Sequence, residues 1–316
     1  GASFMNKITI VGAGRVGEST AQFIAEKDMC REIALLDINK GAAEGAALDI
    51  QEVAPLFKYD TRLYGGSDGS LMADSDLVIV TAGLPRKPGM SREDLLSSNI
   101  NIIDGILDDA MKYAPNTLLL FVTNPVDVVT YHAWKRTGWP RNRVFGQAGV
   151  LDSSRMASFI AMETGYSTLD INTMVLGGHG DTMVPMHRYT TIAGIPISNF
   201  LSKDKLDEIV ERTRHGGAEI LALRQNSSAF DAPAASVAEM VDAIVNDRKR
   251  ILPTVSVLEG EYGHEDIAIG VPAVLGKEGM EQIILLDMND DETTMFHNSA
   301  TIVQTQIDLL NNIKNQ

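Results

Sequence analysis

Lys7-Ile8-Thr9-Ile10-Val11-Gly12-Ala13-Gly14-Arg15-Val16-Gly17 carries an apolar strand into a three-glycine turn and then into a helical pattern. In such a turn the first glycine allows a tight reversal and the second lets the backbone approach a pyrophosphate. The third lets helix and strand pack closely. The N-terminus of the helix then faces the anion. Asp37 stands twenty residues past Gly17, at the end of the next apolar run. A carboxylate there accepts both hydroxyls of an adenosine ribose and repels a 2′-phosphate, which favours NAD over NADP. Gly12, Ala13, Gly14, Arg15, Val16, Gly17 and Asp37 are therefore the candidate cofactor residues. A merely structural turn with Asp37 capping the next helix is the plainer reading, and the complete strand, turn, helix and acid context weighs against it.

Outward from this turn, short apolar runs alternate with helical segments, the pattern of parallel strands joined by crossover helices. Strands are predicted at 7–11, 33–37, 77–81, 118–122 and 143–145, and helices at 15–26, 40–53, 93–113 and 125–136. The apolar runs are nearly continuous, as in strands covered on both faces. This is an α/β chain whose N-terminal part, residues 5–148, is a doubly wound parallel sheet of the Rossmann kind. The pattern changes after Gln147-Ala148-Gly149. A helix over 152–164, strand-like segments over 171–176 and 184–193, helices over 203–225 and 233–246, alternating segments over 252–287 and a last helix over 290–313 predict a mixed α+β domain, residues 149–316. With no repeat and no linker-like tract, the halves are expected to pack as one unit with a cleft between them.

The chain has 316 residues, 44% hydrophobic and 22% charged, with a net charge of −15. That length buries a large core. The acidic balance argues against nucleic acid or an anionic membrane surface as a partner, and no apolar run is long enough to span a bilayer. Cys30 is the single cysteine, so no internal disulfide forms; with no secretory signal at the start, a cytoplasmic location is expected. Gly1 to Phe4, ahead of Met5, look like the remainder of an expression tag and are set aside.

Candidate chemistry lies at four places. Gly83-Leu84-Pro85-Arg86-Lys87-Pro88-Gly89-Met90-Ser91-Arg92 follows an apolar strand and sets two guanidinium groups six positions apart, suited to carboxylates. Val122-Thr123-Asn124-Pro125 ends another strand, at the edge where such sheets bind ligands, so Val122, Thr123 and Asn124 join the cofactor candidates. Leu151-Asp152-Ser153-Ser154-Arg155 places Asp152 and Arg155 on one helical face. Gly177-Gly178-His179-Gly180-Asp181 sets a histidine among glycines, where backbone comes close and the ring faces a cleft. A carboxylate beside the imidazole would fix its tautomer, and Arg155 offers a bidentate fork. Singly, each also reads as a cap, an ion pair or a turn residue. No second histidine or cysteine stands at metal-ligand spacing, so no metal is expected.

Together and in this order, these motifs resemble the lactate and malate dehydrogenase family, and the match runs over nearly the whole chain from Met5. The resemblance implies NAD as cofactor and a 2-hydroxy acid as substrate. It implies that His179 is the proton acceptor paired with Asp152, that Arg155 anchors the carboxylate beside the reacting carbon, and that Arg92 polarises the carbonyl oxygen. Asn99 and Asn124 match positions that contact cofactor or substrate. Arg86 matches the position where malate-specific members carry arginine and lactate-specific members glutamine, so malate and oxaloacetate are expected as substrates. A cation left unpaired over a neutral methyl in a closed site is costly. The resemblance also implies a homo-oligomer, a tetramer more often than a dimer. Three other readings are a lactate or other 2-hydroxy-acid dehydrogenase of the same fold, separated from the malate reading by Arg86, an NAD-dependent glycosidase, for which Cys30 lies in the wrong half, and a non-catalytic NAD sensor.

Overall fold

In the computed structural model, which describes residues 5–85 and 89–315, the first half follows the predicted alternation. The chain runs through β1 (Met5–Val11), α1 (Arg15–Glu26), β2 (Cys30–Leu36), α2 (Lys40–Phe57) and β3 (Arg62–Gly66). It continues through β4 (Leu77–Val80), α3 (Arg92–Tyr113), β5 (Leu118–Phe121), α4 (Val126–Thr137) and β6 (Val144–Gly146). Every residue of β4 and β5 is buried, as two-sided cover by helices requires. The strands are parallel and ordered β3-β2-β1-β4-β5-β6. That order reverses direction between β1 and β4, which opens a crevice beyond their carboxyl ends. Local chemistry sets the helix starts: the Asn39 side chain accepts from the Ala42 N–H, and Ser91 and Asp94 form a reciprocal capping box.

The second half holds α5 (Gly149–Thr164), then short strands β7 (Ile171–Asn172), β8 (Val175–Leu176), β9 (Val184–Pro185), β10 (Thr191–Ile192) and β11 (Ile195–Pro196). Next come α6 (Lys203–Arg214), α7 (Gly216–Arg224), α8 (Asp231–Val245), β12 (Arg250–Glu259), β13 (Glu265–Gly276), β14 (Gly279–Ile283) and α9 (Asp290–Lys314). The short strands make two small sheets. The long ones do not: β12 pairs antiparallel with β6 through Val255 and Gly146, so β12, β13 and β14 extend the parallel sheet to nine strands. One core accordingly joins Ile8, Ile79 and Phe145 with Val255, Ile269 and Phe296. A smaller core of Met156, Ile160 and Ile209 lies under α5 and α6.

Three expectations needed correction. The helix expected over 203–225 is broken at His215, because Gly216 and Gly217 are poor helix formers and a side chain at Gly216 would stand 2.7 Å from the Arg155 Cδ. The run Ile283 to Leu286 leaves the sheet after Ile283; the Tyr262 hydroxyl donates to the Ile284 carbonyl and accepts from the Leu286 N–H in place of a strand partner. β3 was not foreseen, since Arg-Leu-Tyr-Gly-Gly has no apolar run, and its Gly65 is dictated by α2, whose Ala43 carbonyl would lie 2.3 Å from a Cβ. Among the described residues no helix is long and apolar enough to cross a membrane.

Phe145 is fully buried in β6, where the parallel and antiparallel parts of the sheet meet. Phe145→Ala is expected to lower the unfolding free energy by about 3–5 kcal/mol, read as a fall in the urea midpoint; a loss below about 1 kcal/mol would mean that the junction is not a packed core.

Candidate active site

The glycine turn has the three-part geometry that a dinucleotide needs. Gly12 has φ 110°, and a Cβ there would lie 2.5 Å from Thr81 Oγ1 and 2.8 Å from the Ala82 nitrogen. A Cβ on Gly17 would sit 1.8 Å from the Gly12 carbonyl oxygen, so strand and helix pack at backbone contact. A Cβ on Gly14, by contrast, would meet nothing within 4 Å, and Gly14 supplies no side-chain cap to α1. Open space and uncapped N–H groups at a helix N-terminus are what a pyrophosphate occupies. Asp37 follows β2, its Oδ2 accepting from the Ala13 N–H at 2.7 Å and its Oδ1 from the Asn39 N–H at 2.8 Å. Asn39 caps α2, leaving Asp37 facing the turn.

From the turn a cleft of about 470 Å³ runs along the carboxyl edge of the sheet. It brings together Val16, Asn99, Val122, Thr123, Asn124, Arg155 and His179. Asn99 is already engaged: its Oδ1 accepts from the Leu84 N–H at 2.7 Å, and its Nδ2 donates to the Asn124 carbonyl at 2.9 Å. In this arrangement it ties two cleft loops together, and the exposed Asn124 is the freer of the two amides.

At the far end, His179 Nδ1 lies 3.2 Å from Asp152 Oδ2, with 25% of the histidine side chain but only 3% of the aspartate side chain exposed. The ring therefore shows its other nitrogen, Nε2, to the cleft. Burial alone would draw the imidazole pKa down; the Asp152 charge and hydrogen bond, with the charge of Asp127, reverse this and raise it above the ordinary value. The loop that carries the ring is held from several elements: the Gly178 N–H donates to Ser299 Oγ at 2.7 Å, the His179 N–H donates to Asp127 Oδ2 at 3.0 Å, and Arg214 donates to the carbonyls of Asp181 and Met183.

Arg155 projects from α5 into the same cleft against Gly216 and Gly217. Among the described residues its Nε is buried without a hydrogen-bond partner, as are Gln147 Nε2 and Asp152 Oδ1. Burial draws the Arg155 guanidinium pKa down, against the Asp152 charge, which raises it. Arg155 Nε and Gln147 Nε2 are thus desolvated donors that no acceptor among the described residues satisfies. An anionic ligand with several oxygens supplies one.

Arg92 is placed differently. It is the first residue of α3, exposed, and does not line the cleft. Arg86 lies outside the described residues. Sequence reasoning missed Gln147, Asp127 and the Gly216-Gly217 pair. Gln147 directly follows β6, at the sheet edge already singled out for ligands, and that position was a usable signal; the other two declare themselves only through tertiary contacts. The remaining histidines lie elsewhere, His132 bonded to Asp104 at 2.5 Å and His264 to His297 at 2.7 Å.

Two family models match the chain: the lactate/malate dehydrogenase NAD binding domain over residues 6–146 and the lactate/malate dehydrogenase alpha/beta C-terminal domain over residues 149–313. The chain is 64% identical over 306 residues to the malate dehydrogenase of Thioalkalivibrio sulfidiphilus, covering 97% of this chain and 100% of that one. The solved malate dehydrogenase of Salinibacter ruber superposes with a TM-score of 0.94 at 43% identity, over 98% of this chain and 99% of that one. The lactate dehydrogenase of Cryptosporidium parvum, solved with lactic acid and nicotinamide adenine dinucleotide, superposes with a TM-score of 0.93 at 35% identity, over 98% of each chain. The fold is thus common to enzymes of both names.

Since any Cβ at position 17 collides with backbone, Gly17→Ala is expected to raise the Kd for NADH at least about tenfold in a fluorescence titration. Unchanged affinity would show that the turn does not carry the dinucleotide.

Proposed function

The chain belongs to the lactate/malate dehydrogenase family, and from that premise we propose that it is an NAD-dependent malate dehydrogenase, interconverting (S)-malate and oxaloacetate. The observation that carries the reading is one cleft, at the end of a dinucleotide turn, lined both by the His179 ring that Asp152 holds and by Arg155, whose Nε has no hydrogen-bond partner among the described residues. Residues 5–148 serve as the nucleotide-binding part and 149–316 as the catalytic part, although one sheet runs through both.

NAD fits the open space at Gly14 and the uncapped start of α1. The α1 N–H groups would hold the pyrophosphate, Asp37 the adenosine ribose, and Val122, Thr123 and Asn124 the nicotinamide end. When bound, NAD supplies the hydride acceptor. Arg155 takes the carboxylate next to C2 in a two-pronged hydrogen bond and so fixes which face of C2 is presented. Nε2 of His179 removes the C2 hydroxyl proton as the hydride leaves, and the imidazolium that forms is held by Asp152 at Nδ1. In reduction the same proton returns to the oxygen. Arg92 polarises the carbonyl only when the start of α3 is brought over the cleft; water is excluded at that point. Arg86, which follows Pro85 in the sequence, is the residue we assign to pair with the second carboxylate and reject a neutral methyl.

Exposed Leu48, Leu56 and Phe57 on α2 with Leu221 and Leu223 on α7 leave apolar surface to cover, which supports a homo-oligomer; we place it as a tetramer before a dimer, in the cytoplasm.

His179→Asn should lower kcat by about 10²–10⁴-fold with NADH binding kept, and loss of binding instead would make the histidine structural. With the imidazole pKa raised above its ordinary value, kcat/KM for oxaloacetate reduction is full below that pKa and falls as pH climbs through it, whereas malate oxidation rises over the same interval. A reduction profile flat across this range argues against His179 as the acid. For selectivity, Arg86→Gln should cut the oxaloacetate-over-pyruvate preference by about 10²–10³-fold, measured as the ratio of kcat/KM values with NADH; an unchanged ratio removes Arg86 from substrate choice.

A further inference from the structure

Behind the reacting ring lies a second buried acid that the mechanism above does not use. Asp127 sits in the first turn of α4, 4% exposed, three residues past Asn124. Its Oδ2 accepts the backbone N–H of His179 at 3.0 Å, across 52 positions of sequence and between the two halves of the cleft. Its Oδ1 is buried with no hydrogen-bond partner among the described residues. Holding the loop needs one acceptor, and an amide oxygen would serve. A carboxylate adds a charge whose second oxygen is unused, which burial makes costly. The charge has one recipient at hand, the imidazole.

We propose that Asp127 is a positioning residue for the proton-transfer step: it pins the His179 loop to the nucleotide half and, through its charge, holds the His179 ring protonated in the NADH complex. This rests on the reading of His179 as the acid in reduction. Among the described residues the groups facing the ring are Asp152 and Arg155 from α5, Asp127 from α4, and the neutral Ser299 of α9 at the adjoining peptide. The two acids raise the imidazole pKa and Arg155 opposes them. Burial pushes the Asp127 carboxyl up to about 6, against the His179 N–H bond and the His179 charge. Its influence is therefore present above that pH and fades as it protonates below it. The start of a helix, where the backbone dipole favours an anion, is a suitable place for such a charge. Asp127 and His179 titrate as a coupled pair, and the observed profile belongs to the pair.

The test compares Asp127→Asn, which keeps an acceptor and loses the charge, with Asp127→Ala, which loses both, in the NADH-bound protein. The His179 ring signal is assigned in NMR by its absence from His179→Asn and followed against pH; kcat/KM for oxaloacetate is measured in parallel. Asp127→Asn is expected to bind NADH within about threefold of wild type and to lower the His179 pKa by about one unit. Its kcat/KM then falls roughly tenfold near pH 8, and the gap closes towards pH 6. Asp127→Ala is expected to lose activity at both pH values. The proposal is overturned if the Asp127→Asn titration superimposes on that of wild type, or if this variant loses thermal stability and NADH binding as fully as Asp127→Ala, which would make the acid structural only. A wild-type protein that does not oxidise NADH with oxaloacetate refutes the assigned reaction instead, and the NMR titration still decides the role of Asp127.

Discussion

Backbone contact between α1 and β1 is the constraint from which the rest of the site is hung. With no Cβ at Gly17, α1 lies against the Gly12 carbonyl, and with none at Gly12 the turn nests on Thr81 and Ala82 at the end of β4. Those two contacts pin the point where the strand order reverses. They aim the free N–H groups of α1 into the crevice. Asp37, the Leu84 loop and the turn at Asn124 all take their places from the same strand ends. A side chain at position 17 would move every ligand contact on the nucleotide half at once.

The chemical end of the cleft is built by a different logic, since it relies on polar groups left unfinished. Among the described residues, Arg155, Gln147, Asp152 and Asp127 each keep a buried atom without a partner. Folded proteins satisfy most such groups, so a concentration of exceptions at one cleft marks stored interaction energy that a substrate releases on binding. The scaffold beneath is correspondingly firm: the imidazole loop is fastened to α4, α9 and α6. Arg155 lies in the gap where α6 gives way to α7. Preorganisation of this kind lets binding energy act on the reacting atoms in place of ordering the enzyme.

How much of this was readable in the chain depended on the range of the interaction. Gly12, Gly14, Gly17 and Asp37 act through local backbone geometry, so spacing alone named them. Asp152 and Arg155 share a helical face, and their three-residue interval was enough to pair them. β3 and the break at His215 were missed because glycines there serve a neighbour, the Ala43 carbonyl in one case and Arg155 in the other. Asp127 looks like any acid in a first helical turn until the loop 52 positions away is folded onto it. Arg92 was read as the end of a loop before a helix over 93–113, whereas it is the first residue of α3 and does not line the cleft, a placement that a strand and helix pattern does not encode.

The sheet that crosses the cleft also limits how the chain can be taken apart. Two family models divide it near residue 148, but β6 is an interior strand, bonded to β5 on one side and β12 on the other. Cutting there would leave a naked strand edge on each fragment, the kind of edge that invites aggregation. The halves are therefore poor modules for exchange between relatives. Changes in substrate choice are better sought in single side chains over the sheet's rim than by recombining whole domains.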